Sequence, residues 1–338
     1  MQRFFCDCGL EVFLENMQCV RCGATLAFDP ATASMVTLDQ RDGVWQTRSS
    51  SQRVSLCSNR LTYGVCNCLA DNTTKDGRCF LCRLNRTIPD LSKPDNTRRW
   101  GRLEQAKRRL YYGLHALGLP LTEPVTGSPR GVYFDFLEDR RTNPDVVEEF
   151  VTTGYKNGLI TINVMEADDI QLVWQREQSS ERYRTVLGHM RHEVGHYCFE
   201  LLVADVAEFI SVFGDYNRPY AESLNQYYQN GPVSGWEQWF ISAYASAHPT
   251  EDWAESFAHY LHMADTLDTG VQRGLIPPIG MDDPVDELLT AWDGFAVTLN
   301  ELNHSLGLSD AYPFVVTPAI ADKLRYIHRL ICGYRLWN

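Results

Sequence analysis

The stretch Arg191–Leu202, RHEVGHYCFELL, contains His192, Glu193 and His196 in the spacing His-Glu-x-x-His. This spacing is a signature of zinc hydrolases. On a helix, residues four positions apart lie on one face, so both imidazoles can reach one metal ion while the carboxylate of Glu193 lies at the edge of the pocket. The stretch therefore predicts a zinc site on a helix, with a metal-bound water beside Glu193.

The residues around this motif also favour a helix. Ser179 or Ser180 can cap its start, and Glu181 suits its first turn. Apolar residues then recur at helical spacing, and they are Tyr183, Val186, Leu187, Met190, Val194, Tyr197 and Leu201. Only Gly188 and Gly195 oppose this interpretation. The alternative is a chance match of the motif on a surface helix.

The composition places the chain among globular proteins. Its 338 residues are 44% apolar and 12% aromatic, which suits one sizeable core plus something smaller. No run of about eighteen or more apolar residues occurs, and the first ten residues, MQRFFCDCGL, lack the apolar segment of a secretory signal. We therefore expect a soluble, cytoplasmic protein that does not bind a membrane.

The formal net charge of −12 is unevenly distributed. Residues 1–92 carry ten Lys/Arg and nine Asp/Glu, so all of the excess acid lies beyond them. An acidic body is a poor binder of nucleic acid. The short basic run Lys107, Arg108 and Arg109, on a predicted helix from about Thr97 to Leu117, is interpreted as a solvated helix face.

Nine of the eleven cysteines lie between Cys6 and Cys82. In a reducing compartment, clustered cysteines indicate metal rather than disulfides. The first group has the spacing Cys-x-Cys, ten residues, Cys-x-x-Cys, and consists of Cys6, Cys8, Cys19 and Cys22. Gly9 and Gly23 follow the two pairs and permit tight turns. The group predicts a β-hairpin clamped by one structural zinc ion.

A second group repeats this spacing sixty residues later, and it consists of Cys66, Cys68, Cys79 and Cys82. Cys57 is a fifth thiol nearby. Because a structural zinc ion takes four ligands, either Cys57 or Cys68 is spare, and the spacing alone favours omitting Cys57. The polar residues 31–53 between the groups are interpreted as a linker or an elaborated edge.

Beyond the cysteines, Gly131–Leu137 and Gly158–Val164 read as strands that precede the motif helix. The segment Tyr216–Gly235 is rich in Tyr, Asn, Gln and Gly, and we expect loops with one short helix over the site. Two packed helices are predicted near residues 284–306 and 318–331.

A second informative stretch, His248–Asp265, reads HPTEDWAESFAHYLHMAD. Pro249 suits a first helical turn. An apolar face contains Trp253, Phe257 and Leu261, and beside it runs a polar stripe of Glu251, Glu255, His259 and His262. A solvated face is the alternative for this stripe. Since a catalytic zinc ion takes three protein ligands, the two motif histidines need a third ligand from elsewhere.

Several stretches carry a resemblance to a known family: RLNRTIPDL, EQAKRRLYYGLHALGLPL, GLITINVMEADD, YRTVLGHMRHEVGHYCFELL, FGDYNRPYAESLNQYYQNGPVSGW and ISAYASAHPTEDWAESFAHYLHMADTLDT. These stretches lie between Arg83 and Thr269. Through them the chain resembles the bacterial family of predicted zinc-binding metallopeptidases with an N-terminal zinc-ribbon region. The resemblance implies an α+β fold, in which a zincin-like peptidase domain has a small mixed sheet and a helical half. We expect ribbon 1 at 1–30, a linker at 31–53, ribbon 2 at 54–92 and the peptidase domain at 93–338.

The resemblance also implies ligands. In gluzincin metallopeptidases the third zinc ligand is a Glu on a second helix, and an acid four residues later supports a motif histidine. Glu251 and Glu255 resemble this pair in that order, although their spacing alone cannot separate them. In the family, the second cysteine group looks like Cys57, Cys66, Cys79 and Cys82, which makes Cys68 the spare thiol.

The expected activity is hydrolysis of peptides or proteins with one catalytic and two structural zinc ions. Glu193 would take the proton of the attacking water. Oxyanion donors are expected among Tyr244, His259 and Tyr260, and the strand Gly158–Val164 is a candidate edge for pairing with an extended peptide. The alternative function is a zinc-ribbon interaction module whose peptidase-like domain binds without cleaving. The ribbons are candidates for binding a protein partner, and purely structural stabilisation is the alternative role for them.

Overall fold

The computed structural model describes residues 1–125, 131–168 and 185–337. The chain divides into two compact units. The N-terminal unit comprises Gln2–His115 and Leu121–Asp169, and the helical unit comprises Met1, Ala116–Pro120 and Ile170–Asn338. Small sheets in the first unit and packed helices in the second confirm the predicted α+β class.

Two of the sheets lie in the region of the cysteines. Strands β1 (Phe4–Phe5) and β2 (Glu11–Val12) form an antiparallel pair. A four-stranded antiparallel sheet has the order β3-β4-β5-β6, with β3 at Thr25–Asp29, β4 at Ser34–Arg41, β5 at Val44–Thr47 and β6 at Arg53–Val54.

This sheet includes most of the segment 31–53 that was interpreted as a linker or an elaborated edge. The structure agrees with the elaborated edge rather than with an unstructured linker, because the segment forms strands of a sheet. The segment contributes Leu38 to a small buried cluster with Ala27 and Leu56. Polar side chains on the outer face of the strands made the segment look like a linker. The predicted domain boundaries stay predictions.

A mixed sheet has the order β7-β8-β10-β9. Its strands are β7 (Asn85–Thr87), β8 (Tyr133–Leu137), β9 (Gly154–Lys156) and β10 (Leu159–Asn163). Strand β10 is parallel to β8 and antiparallel to β9. The prediction that Gly158–Val164 is an edge was therefore wrong, because β9 pairs with its outer side.

Three helices accompany these strands: α1 (Ser58–Tyr63), α2 (Phe80–Arg83) and α3 (Asn96–Ala116). We had expected the basic run on α3 to be a solvated face, and this expectation was wrong. Lys107 is fully buried, and its ammonium lies 2.9 Å from a carboxylate oxygen of Glu104. Arg108 is also buried and donates to the carbonyl of Val65 at 3.2 Å. Only Arg109 of the run is partly exposed. Burial of the two cations is tolerated because each has a polar partner.

The helical unit contains six helices in its described part. They are α4 (Val186–Leu202), α5 (Val206–Phe213), α6 (Tyr220–Asn230), α7 (Pro249–Gln272), α8 (Val285–Ser305) and α9 (Pro318–Trp337). The predicted caps Ser179 and Ser180 and the first-turn residue Glu181 lie outside the described residues. The hydroxyl of Thr185 caps α4 by accepting from the N–H of Gly188 at 2.9 Å.

Aromatic residues hold α4, α5, α7 and α9 together. Trp253 on α7 lies at their centre, with ring contacts of 5.6–6.2 Å to Phe199, Phe209, Phe213, Phe257 and Tyr326. Trp253 and Phe257 belong to the predicted apolar face of this helix, and α7 begins at Pro249 as predicted. Within the three described ranges, every helix is too short or too polar to cross a membrane.

Candidate metal centre

The centre is built where α4 and α7 approach each other at Gly195. A Cβ atom on Gly195 would lie 3.0 Å from the Cα of Ala254 and 3.1 Å from its carbonyl oxygen. The indole N–H of Trp253 donates to the carbonyl of Gly195 at 2.8 Å. The glycine that opposed a helix in the sequence is thus the residue that lets the two backbones come this close.

This approach brings the predicted third ligand to the motif histidines. The Nε2 atoms of His192 and His196 lie 3.2 Å apart. The carboxylate of Glu251 places Oε2 at 3.0 Å from Nε2 of His192 and Oε1 at 3.5 Å from Nε2 of His196. Four ligands at zinc distances of about 2.0–2.1 Å in a tetrahedron lie about 3.3 Å from one another. The three side chains therefore fit zinc in both chemistry and spacing.

Glu255 contacts the opposite side of the same imidazole. Its Oε1 lies 2.5 Å from Nδ1 of His192, and its Oε2 accepts from the hydroxyl of Ser242 at 2.5 Å. That hydroxyl oxygen in turn accepts from the N–H of Ala245 at 3.1 Å. A carboxylate that receives Nδ1–H fixes the tautomer in which Nε2 is free for a metal ion. The geometry thus supports the predicted order of the two acids, although their metal roles stay predictions.

The charges around these side chains favour a cation. Burial alone would lower the pKa of His192, but hydrogen bonds with Glu251 and Glu255 raise it well above its usual value. Burial would raise the pKa of Glu255, yet the contact with His192 lowers it to about 2. The pKa of Glu251 is likewise held well below its usual value against the effect of burial. Two ionised carboxylates in a buried site are stabilised by positive charge.

Glu193 is buried, with 6% of its surface exposed. Its Oε2 atom has no hydrogen-bond partner among the described residues. Burial raises the pKa of Glu193, and the nearby histidines oppose this effect. A buried carboxylate oxygen without a partner is costly and marks a place for water or substrate.

The three predicted oxyanion donors have different surroundings. The ring of Tyr244 lies 6.0 Å from that of His192, and burial raises the pKa of its hydroxyl, which keeps it a donor. His259 contacts the hydroxyl of Tyr312 at 2.7 Å, and burial lowers its pKa to about 4. Tyr260 contacts Nδ1 of His328 at 2.8 Å. Tyr244 is thus a candidate whose ring contacts a motif histidine.

His262, the last residue of the polar stripe on α7, contacts other residues than the motif histidines. His262 contacts the guanidinium of Arg191, which also forms an ion pair with Asp265 at 2.7 Å. The described metal-competent group on α4 and α7 therefore does not include His262.

Sequence reasoning missed Tyr220, the first residue of α6. Its hydroxyl donates to Oε1 of Glu251 at 2.8 Å. The only signal in the sequence was its position in the Tyr-rich segment that was expected to cover the site. No spacing rule connects Tyr220 to an acid 31 residues further along the chain.

The first cysteine group is assembled as predicted. The Sγ atoms of Cys6 and Cys22 lie 3.6 Å apart, as do those of Cys8 and Cys19. A tetrahedral zinc thiolate site separates sulfurs by about 3.8 Å, whereas a disulfide requires about 2.05 Å. This group fits zinc.

In the second group, the metal-competent set is Cys57, Cys66, Cys79 and Cys82, whose ligand atoms lie within 4.8 Å of one another. Cys68 is buried nearby, and its N–H contacts Sγ of Cys66 at 3.4 Å. The geometry agrees with the set implied by the resemblance rather than with the set favoured by spacing. The identity of the four ligands stays a prediction.

Two histidines and a glutamate on packed helices form a group that could hold a metal ion, and the buried Glu193 lies between the two histidines in the sequence. The chain belongs to the family described as "Putative zinc-binding metallo-peptidase", which matches residues 96–330. A zinc-ribbon domain family matches residues 3–93. These matches confirm the resemblance stated above and identify zinc as the metal of the family.

Related proteins occur in mycobacteria. Uncharacterized proteins of Mycobacterium bovis and Mycobacterium tuberculosis are each 36% identical over 344 residues, which cover 98% of this chain and 95% of the relative. No solved structure matches the chain. Since these relatives are named only as uncharacterized, their names add nothing on activity.

Proposed function

We propose that this protein is a gluzincin-type metallopeptidase that hydrolyses peptide bonds. In this proposal His192, His196 and Glu251 hold one catalytic zinc ion, and the two cysteine groups hold one structural zinc ion each. The observation that carries the proposal is Glu193, a buried carboxylate with an unpartnered oxygen, one residue from a candidate ligand. A purely structural metal site has no use for such a group.

Zinc, when bound, supplies Lewis-acid chemistry that polarises a carbonyl and lowers the pKa of water. The side chains of this chain then have separate roles. Glu193 accepts a proton from water at its free oxygen and delivers it to the leaving amine. Glu255 holds the ring of His192 through Nδ1, and Tyr244 offers a hydroxyl to developing negative charge.

The test combines metal analysis with cleavage of a peptide library. Glu193→Gln keeps the shape of the side chain but cannot accept the proton, so we expect hydrolysis to be lost while zinc content and fold persist. Glu200→Gln, an exposed glutamate on the same helix α4, is the matched control and should cleave like wild type.

Wild-type activity in Glu193→Gln would exclude the proposed base. If neither wild type nor variant cuts any peptide while both retain zinc, the binding-only function is favoured over the peptidase. A cytoplasmic location and a protein partner for the ribbons remain part of the proposal, and neither is needed for this test.

A further inference from the structure

We propose that Tyr220 is a positioning residue of the metal centre, which orients the carboxylate of Glu251 and thereby couples docking of α6 to metal binding. The inference rests on the metal site of the proposed function but does not require that the site cleave peptides.

The two carboxylate oxygens of Glu251 have different partners. Oε2 lies 3.0 Å from Nε2 of His192, whereas Oε1 accepts from Tyr220 at 2.8 Å and lies 3.5 Å from Nε2 of His196. A carboxylate without a second contact can turn about its terminal bond. The hydroxyl of Tyr220 fixes one oxygen and so presents the other beside the imidazole. Hydrogen bonds to charged groups are the strong ones, and Glu251 is 99% buried, where such bonds are least screened.

The helix that carries this hydroxyl, α6, has few buried side chains. Of the eleven residues of α6, only Ser223 is fully buried. Tyr220 is 47% exposed and Tyr228 is 70% exposed. Glycines with positive φ lie on either side, Gly214 at 96° and Gly231 at 77°. Few buried contacts mean that α6 opens at low free-energy cost.

Two aromatic contacts of α6 lead toward the metal centre. The ring of Tyr227 lies 5.6 Å from that of Tyr244, which in turn lies 6.0 Å from His192. The ring of Tyr220 lies 5.2 Å from that of His248, the N-cap of α7. The hydroxyl contact with Glu251 is thus one of the contacts that attach this helix.

Together these observations imply a linkage. A metal ion that immobilises Glu251 gives Tyr220 a fixed acceptor and so favours the state in which α6 is packed against α7. Packing of α6 in turn raises the affinity for the metal ion by the same factor, because coupling between two binding events is reciprocal.

The experiment uses the full chain and measures two quantities for wild type and Tyr220→Phe. The first is the affinity of the chelator-sensitive zinc ion, obtained by competition with a chelator. The second is amide hydrogen exchange in α6 with and without that ion. The control is Tyr216→Phe, whose ring contacts Phe199 and Phe209 and whose hydroxyl has no hydrogen-bond partner in the described part of the chain.

We expect Tyr220→Phe to lower the affinity for the chelator-sensitive zinc ion by roughly ten- to a hundredfold, which is the usual effect of losing a partner of a metal ligand. Zinc should slow exchange in α6 of wild type and of Tyr216→Phe but not of Tyr220→Phe. A twofold change or less in affinity, or zinc-dependent protection of α6 in Tyr220→Phe, overturns the proposal. Weaker zinc binding in a protein that cuts no peptide would support Tyr220 while rejecting the peptidase. A wild type that binds no chelator-sensitive zinc rejects both.

Discussion

Gly195 and Ala254 are in close backbone contact across α4 and α7, where an added methyl group would be tighter than ordinary van der Waals contact. A Cβ atom on Gly195 would meet the Cα of Ala254 at 3.0 Å and its carbonyl oxygen at 3.1 Å. The aromatic cluster around Trp253 holds the two helices together, through Phe199 on α4 and Phe257 on α7. This contact sets the distance between the two motif histidines and Glu251.

Gly195→Ala should therefore push α7 away from α4. Overpacking of this kind typically costs about 1–3 kcal/mol of unfolding free energy. Because the same shift separates Glu251 from the imidazoles, affinity for the chelator-sensitive zinc should fall as well. Denaturant unfolding and zinc competition measure the two effects.

The matched control for this substitution is Gly294→Ala on α8, where an added Cβ meets nothing within 4 Å. An exposed helical glycine replaced by alanine should raise the free energy of unfolding by about 0.5–1 kcal/mol. If Gly195→Ala were as stable as Gly294→Ala, the added methyl group would have no packing cost and the contact with Ala254 would not hold the two helices at a fixed distance.

Glu251→Ala and Glu255→Ala should differ in zinc stoichiometry. Loss of Glu251 removes a candidate ligand, so we expect the chelator-sensitive zinc to be absent. Loss of Glu255 leaves the ligands but frees Nδ1 of His192, so zinc should still bind, roughly ten- to a hundredfold more weakly. Metal analysis after mild chelation distinguishes the two. The opposite pattern would exchange the roles of the two acids.

The cysteine variants test which thiols of the second group hold zinc. Wild type should contain three zinc ions, of which two resist chelation because a tetrathiolate site is closed. Cys57→Ala should lose one resistant ion, whereas Cys68→Ala should keep both, since Cys68 lies outside the metal-competent set. Zinc loss from Cys68→Ala with full retention in Cys57→Ala would favour the set that spacing alone suggested.

Lys107→Met should destabilise the N-terminal unit strongly. The substitution leaves the buried carboxylate of Glu104 without the ammonium that lies 2.9 Å from it, and breaking such a buried pair costs about 3–5 kcal/mol. Arg109→Ala removes the partly exposed cation of the same run and should cost about 1 kcal/mol or less. Similar small effects in both variants would restore the interpretation of this run as a solvated face.

Local patterns in the sequence predicted much of this protein because they report short-range geometry. The spacing of His192 and His196 implies one helical face, and α4 places both on one face. The Cys-x-Cys and Cys-x-x-Cys pairs permit close approach of thiols, and the first group is assembled as its spacing predicted. Pro249 marked the first turn of α7, where its fixed φ and missing N–H are tolerated. Each of these inferences depends on residues that are close together in the sequence.

Contacts between distant parts of the chain were decided only by the tertiary structure. Glu251 and Glu255 occupy one helical face, and their different contacts with His192 arise only because α7 crosses α4 at Gly195. A periodic pattern identifies which side of an element is apolar, but it does not identify what covers that side. For the same reason the pairing of β9 with β10 and the burial of Lys107 were not predicted. Tyr220 became visible as a partner of Glu251 only when α6 was placed against α7, because its hydroxyl acts through position in space and not through spacing in sequence.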